Sequence, residues 1–108
     1  MSDQVTMVDI ETARRWIDEG SAVVVDVREQ HEYDAGHIHG ANLRPLSQWD
    51  PEELPEVPAG KHLLLHCRSA SRCGVAAQNL IESGYQGHIN RLAGGLLAWV
   101  AAGAPIEQ

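Results

Sequence analysis

Apolar and polar positions change period several times along this chain, and each change marks an element. Asp9 precedes a helical pattern running to about Glu19, with Ile10, Ala13, Trp16 and Ile17 on one face and Gly20 closing it. Residues 22–25 form an unbroken apolar run, the mark of a parallel strand covered on both faces. Residues 29–35 read as a short helix stopped by Gly36, and 37–43 lead into another short strand. The stretch 47–60 sets Pro51, Pro55 and Pro58 among Glu52, Glu53 and Glu56, which suits one helical turn and a solvated loop. A strand over 61–66 is followed by a turn and a helix over 74–81, with Val75, Ala76, Leu80 and Ile81 on one side. Gly84 and Gly87 bracket a turn before a last strand at 88–92. Gly94-Gly95 opens a helix carrying Leu96, Leu97, Trp99 and Val100, which Gly103 and Pro105 end, with Trp99 a core residue. Residues 1–6 are expected to be a flexible N-terminal tail. Strands alternating with helices predict parallel βαβ units and a three-layer α/β sandwich.

Composition narrows the functional classes. A chain of 108 residues, 44% hydrophobic and 21% charged, suits one globular domain spanning 1–108. A formal charge of −7 argues against non-specific nucleic-acid binding, so no nucleic-acid partner is expected. It also requires local cations to draw in any anionic substrate. No apolar run approaches the ~20 residues that span a bilayer, and the first twenty residues hold no signal-like apolar core. With two cysteines, the expectation is a reduced, cytoplasmic setting without a membrane partner.

The chemistry concentrates in residues 66–73, His66-Cys67-Arg68-Ser69-Ala70-Ser71-Arg72-Cys73. A strand that ends in a cysteine and turns into a helix sets the sulfur before unpaired backbone N–H groups. Those amides, the helix dipole, Arg68 and Arg72 all favour negative charge and predict a nucleophilic thiolate at Cys67. The competing reading is a buried structural cysteine. Asp26 and Arg28, at the polar end of the 22–25 strand, read as a supporting hydrogen-bond network. His37 and His39 share a face of an extended segment, but no cysteine or carboxylate at ligand spacing joins them. His66, Cys67 and Cys73 make a poor zinc set, since adjacent strand residues point to opposite faces and five residues separate the cysteines. No metal or other cofactor is expected.

In order and spacing these motifs resemble the rhodanese-like sulfurtransferases. The resemblance runs from the residue 23–28 strand through Gly36-His37-Ile38-His39-Gly40-Ala41, the cysteine loop, Gly84-Tyr85 and Gly94-Gly95-Leu96-Leu97-Ala98-Trp99. It implies a rhodanese-like three-layer α/β/α sandwich with a central, mostly parallel five-stranded sheet. His37 then belongs to the turn structure of the fold. Cysteine phosphatases and arsenate reductases have five residues between Cys and Arg, whereas this chain has four, Arg68, Ser69, Ala70 and Ser71. The shorter loop suits one added sulfur atom rather than a tetrahedral oxyanion.

The expected reaction moves a sulfane sulfur from thiosulfate, or another small-molecule or persulfide donor, to cyanide or a thiol through a Cys67 persulfide. A protein sulfur carrier is an alternative partner. Cys67 is the expected catalytic residue, and Arg68, Ser69, Ala70, Ser71, Arg72 and Cys73 the expected substrate-binding loop. Arg68 would contact the anionic donor, while Arg72 would do the same or hold the loop against a carboxylate. Ala70 stands where the family often has glycine, which puts a cost on a positive φ there. Cys73 reads either as a small residue at the helix start or as a resolving thiol whose pKa falls. A catalytically silent docking or redox-sensing module is the non-enzymatic alternative.

Overall fold

In the computed structural model, which describes residues 4–108, five strands form one sheet: β1 (Val5–Val8), β2 (Ala22–Asp26), β3 (Asn42–Leu43), β4 (His62–His66) and β5 (Ile89–Leu92). Their order across the sheet is β1-β5-β4-β2-β3, and every pairing is parallel. Parallel neighbours need crossover connections, which α1 (Ile10–Asp18), α2 (Gln30–Ala35), α3 (Ser71–Glu82) and α4 (Gly95–Ala101) supply or flank. α1 begins as its sequence directs: the Asp9 carboxylate accepts the Thr12 N–H at 2.8 Å.

The period-2 alternation of β4 divides the core in two. Leu63 and Leu65 point to one side, packing with Val25, Ile89 and the Ala76, Ala77 and Leu80 stripe of α3. Leu64 points to the other, with Val24, Leu92, Ala13 of α1, and Leu96 and Trp99 of α4. Sheet and flanking helices make the three-layer α/β/α sandwich expected from the sequence.

Four expectations change. Val5 and Thr6 belong to β1, paired with Ile89 and Asn90, so they are not part of a tail; residues 1–3 lie outside the described residues. α3 starts at Ser71 rather than residue 74, which puts Arg72 and Cys73 in its first turn. Its phase turns Val75 outward, and Leu97 and Val100 on α4 are likewise half exposed. The 47–60 region holds the end of one short 3-10 turn (Leu46–Gln48) and a second (Pro51–Glu53), under which Leu54 and Val57 pack on the α3 side.

Candidate active site

Cys67 directly follows β4, at the carboxyl edge of the sheet where parallel α/β folds gather functional side chains. Its carbonyl, and that of Arg68, are held by α4: Leu96 N–H donates to Cys67 O at 2.8 Å and Leu97 N–H to Arg68 O at 3.1 Å. The chain then turns sharply. Ala70 has φ +86°, the one non-glycine residue with positive φ among the described residues, and its N–H points back to Cys67 Sγ at 3.1 Å. The loop therefore adopts the left-handed turn without the glycine that would relieve it.

The sulfur is held as an anion. Cys67 lies well below an ordinary thiol, at about 5. The largest cause is a hydrogen bond from the Cys73 side chain; the backbone N–H groups of Cys73, Ser69 and Ala70 add to it, and burial opposes it. Cys73 is displaced the other way, above the ordinary thiol range, first by its hydrogen bond to Cys67 and then by burial. The lowered pKa expected for Cys73 from its place at a helix start is therefore corrected. The thiolate beside it outweighs the dipole of the helix. Both cysteines are free and have no accessible surface.

The cations divide into different tasks. Arg72 meets Glu32 of α2 in a two-pronged pair, Nη1–Oε1 2.6 Å and Nη2–Oε2 2.9 Å. The guanidinium holds the Glu32 carboxyl down at about 2. Of the two roles that the sequence left open for Arg72, this pair is the contact that holding the loop against a carboxylate would require. Arg28 pairs with Asp26 at 2.8 Å and also donates to Gly36 O at 2.8 Å, so both residues serve the supporting network. Arg68 is exposed and makes no ion pair among the described residues. Ser69 and Ser71 are exposed, and their hydroxyls make no hydrogen bond among the described residues. Beside Arg68 a groove of about 440 Å³ opens, lined by Ala35, Leu96, Leu97 and Val100 with Arg28 and Glu32.

The histidines have structural surroundings. His37 stacks on Tyr33 at 3.8 Å, and its backbone bridges to Glu107. His39 meets the Glu107 carboxylate at 2.9 Å. His66 is wholly buried, its Nε2 3.6 Å from Asp26 Oδ2, and burial holds its pKa down. Among the described residues no group of three or more His, Cys, Asp or Glu side chains converges as a metal site.

Sequence reasoning missed Arg91. From β5 its Nη2 donates to Ala70 O at 2.6 Å and its Nε to Cys73 Sγ at 3.4 Å. The local signal was Gly74: a Cβ there would stand 2.8 Å from Arg91 Nη2, so the glycine clears the path of the guanidinium. Glu32 was also missed, since its partner lies 40 positions away.

A parallel α/β domain with an amide-lined cysteine loop at the edge of its central strand is the class that fold and site define. A family model, the rhodanese-like domain, matches residues 9–102, and the chain belongs to that family. It is 32% identical over 103 residues to a protein of Allochromatium vinosum named sulfurtransferase, covering 94% of each chain. It is 45% identical over 85 residues to an uncharacterized Synechocystis protein, and that alignment covers 79% of this chain but only 46% of the relative. Among solved structures, the thiosulfate sulfurtransferase of Pseudomonas aeruginosa superposes with a TM-score of 0.79 at 23% identity. That match covers 96% of this chain and 20% of the other, and at that identity it speaks to fold alone. The rhodanese-like domain of an Anabaena protein gives a TM-score of 0.77 at 26% identity, over 99% of this chain and 80% of that one. Fold and family thus agree with the sequence reading, and family membership supports sulfurtransferase-type chemistry in general terms. No helix among the described residues is long and apolar enough to cross a membrane.

Proposed function

We propose that this chain is a sulfurtransferase that moves a sulfane sulfur from thiosulfate or a persulfide donor to a thiol or cyanide through a persulfide on Cys67. The observation that carries this reading is the Cys67 sulfur itself. It is bound by the Ala70 N–H at 3.1 Å, and its pKa of about 5 makes it a thiolate at neutral pH. In the first half-reaction the thiolate attacks the outer sulfur of thiosulfate. A Cys67–sulfur bond forms, the sulfur–sulfur bond of thiosulfate breaks, and sulfite leaves with the bonding pair. In the second, the acceptor attacks the outer sulfur of the persulfide, and Cys67 leaves as the thiolate.

The loop amides play the part that oxyanion-hole donors play for oxygen. Arg68 at the mouth offers charge to an anionic donor, and the apolar groove beside it gives an organic acceptor a way in. A protein sulfur carrier is a second kind of acceptor for the same mouth. The four-residue interval between Cys67 and Arg72 favours a single sulfur atom over a phosphate-sized ligand.

One observation favours a second reading. Cys67 has no accessible surface, so a donor reaches it only if the residues that cover it shift. A loop that stays shut would make the chain a docking or redox-sensing module. Thiosulfate:cyanide sulfurtransfer by the purified protein, with intact-mass detection of one added sulfur, tests the choice. Turnover and a sulfur adduct support the enzyme; neither, in folded protein, supports the module. The reduced, cytoplasmic setting belongs to the same proposal, since a persulfide survives where thiols stay reduced.

A further inference from the structure

The left-handed turn at Ala70 is held from outside the loop. Two peptide groups meet at this residue. The one before it carries the N–H that reaches Cys67 Sγ at 3.1 Å, and the one after it carries the Ala70 carbonyl. The angle between them is set by φ +86° and ψ −9°, a conformation that costs any residue with a Cβ. The Ala70 side chain has no capping bond to offset that cost at the start of α3. Its carbonyl, however, receives two side-chain donors: Arg91 Nη2 at 2.6 Å and the Cys73 thiol at 3.1 Å. Arg91 lies two residues beyond the buried Ile89 on β5 and so shares its face, towards α3. The bare Cα of Gly74 gives the guanidinium room to pass. Arg91 Nε also donates to Cys73 Sγ at 3.4 Å, which holds the second donor in place. No carboxylate among the described residues pairs with Arg91.

We infer that Arg91 is a positioning residue for Cys67: together with the Cys73 thiol it clamps the Ala70 carbonyl, keeping the left-handed turn that aims the Ala70 N–H at the Cys67 sulfur. Were Ala70 to relax to a negative φ, its two peptide groups would rotate against one another. Either the carbonyl would leave Arg91 or the N–H would leave the sulfur. A charge-assisted bond is roughly twice as strong as a neutral one, so Arg91 opposes that rotation. The thiol is a weak donor and adds less. The inference rests on the sulfurtransferase reading only for the use made of the sulfur. In that use the held N–H serves Cys67 as attacking group and again as leaving group.

Other charged groups also surround Cys67. His66 precedes it on β4, with Asp26 at the end of β2 and Arg28 just after. Arg72 stands on α3, tied to Glu32 of α2, and Arg68 is exposed at the loop mouth. Arg91 alone of these has a side chain bonded to the Ala70 carbonyl among the described residues.

A double-mutant cycle between Arg91 and Ala70 separates a clamp from a charge acting at a distance. Its readout is the midpoint of the first thiolate step, followed by ultraviolet absorbance, which needs no reagent to enter the buried site. Arg91→Met alone is expected to raise that midpoint by about half a unit or more, as the Ala70 N–H leaves the sulfur. With Ala70→Gly also present the turn no longer strains a Cβ, and Arg91→Met should then raise the midpoint by less than roughly half as much. Equal rises in the two backgrounds would mean that Arg91 acts through its charge alone, and no rise in either that it does not act on Cys67. Both results overturn the clamp. Should Arg91→Met not fold, Arg91→Gln takes its place under the same rule, since its amide ends where Nε stands and cannot reach the Ala70 carbonyl. Sulfur loading of wild type from thiosulfate tests the sulfurtransferase reading separately. If wild type takes up no sulfur that reading fails, and the titration cycle still decides the clamp.

Discussion

Gly95 lies so close to the cysteine loop that a Cβ on it would stand 2.5 Å from the carbonyl oxygen of Arg68 and 2.6 Å from that of Cys67. This approach lets the next two N–H groups, of Leu96 and Leu97, bond those same oxygens. The glycine also has φ +61°, a region costly for any side chain. Backbone contact between α4 and the loop thus fixes where the Cys67 chain turns. Gly95→Ala should cost on the order of 2 kcal/mol or more of unfolding free energy and misplace the loop. Urea denaturation checks it, and a change within about 0.5 kcal/mol would contradict the close approach.

Ala70 gives the opposite sign. Its φ of +86° strains a Cβ, while the methyl is almost fully buried against the α3 side of the core. Ala70→Gly removes the strain and loses a small apolar contact, so a net gain of up to about 1 kcal/mol is expected. A clear loss of stability would mean that the methyl contributes more through packing than it costs in conformation.

Arg72 and Glu32 make the loop depend on acid. Because the Glu32 carboxyl is held at about 2 in the folded chain, the pair stabilises the fold above the ordinary carboxylate range. That contribution is lost progressively as pH falls from the ordinary carboxylate value towards 2. The pair is partly exposed, so about 1 kcal/mol is the expected size. Glu32→Gln should therefore cost about that much at pH 7 and almost nothing near pH 2, as read by denaturation at both values. Equal destabilisation at both would assign Glu32 a role independent of its charge.

Much of this site is written locally, and the remainder is not. The apolar run at 63–65, the cysteine after it and the four-residue spacing to Arg72 are contiguous, so sequence alone places the candidate nucleophile at a strand end. Asp9 and Gly20 mark the ends of α1 by side-chain and backbone chemistry that acts within a few residues. Arg91 carries no such mark. In a strand it reads as one polar position, and only the assembled sheet brings it beneath the first turn of α3. β1 escaped for a related reason: four residues, two of them exposed, acquire strand character only when β5 offers its edge. Val75, Leu97 and Val100 misled because an apolar side chain near a helix start or end does not fix the helix phase.

Cys67→Ser should abolish sulfur transfer while preserving the fold, because it retains size and removes the polarizable thiolate. The expected result is loss of the sulfur adduct after thiosulfate treatment, seen by intact mass, with an unfolding midpoint that remains measurable and cooperative. Continued turnover in this variant would remove Cys67 as the nucleophile.

Arg68 is the exposed cation of the loop with no ion pair among the described residues, on a chain whose formal charge is −7. Two opposing fields therefore act on thiosulfate: local attraction by Arg68 and repulsion by the protein as a whole. Both weaken as the screening length contracts to about 10 Å at 0.1 M salt. In wild type the short-range attraction dominates at the mouth, so KM for thiosulfate should rise with potassium chloride. In Arg68→Ala only the repulsion remains. KM should start severalfold higher at low salt, by about 1 kcal/mol of lost charge contact, and should fall or stay level as salt is added. An uncharged donor measured alongside should respond little in either protein, which separates charge from loop shape. If the two proteins show the same fractional salt dependence with thiosulfate, Arg68 does not draw in the donor, and its part in the site is to shape the turn.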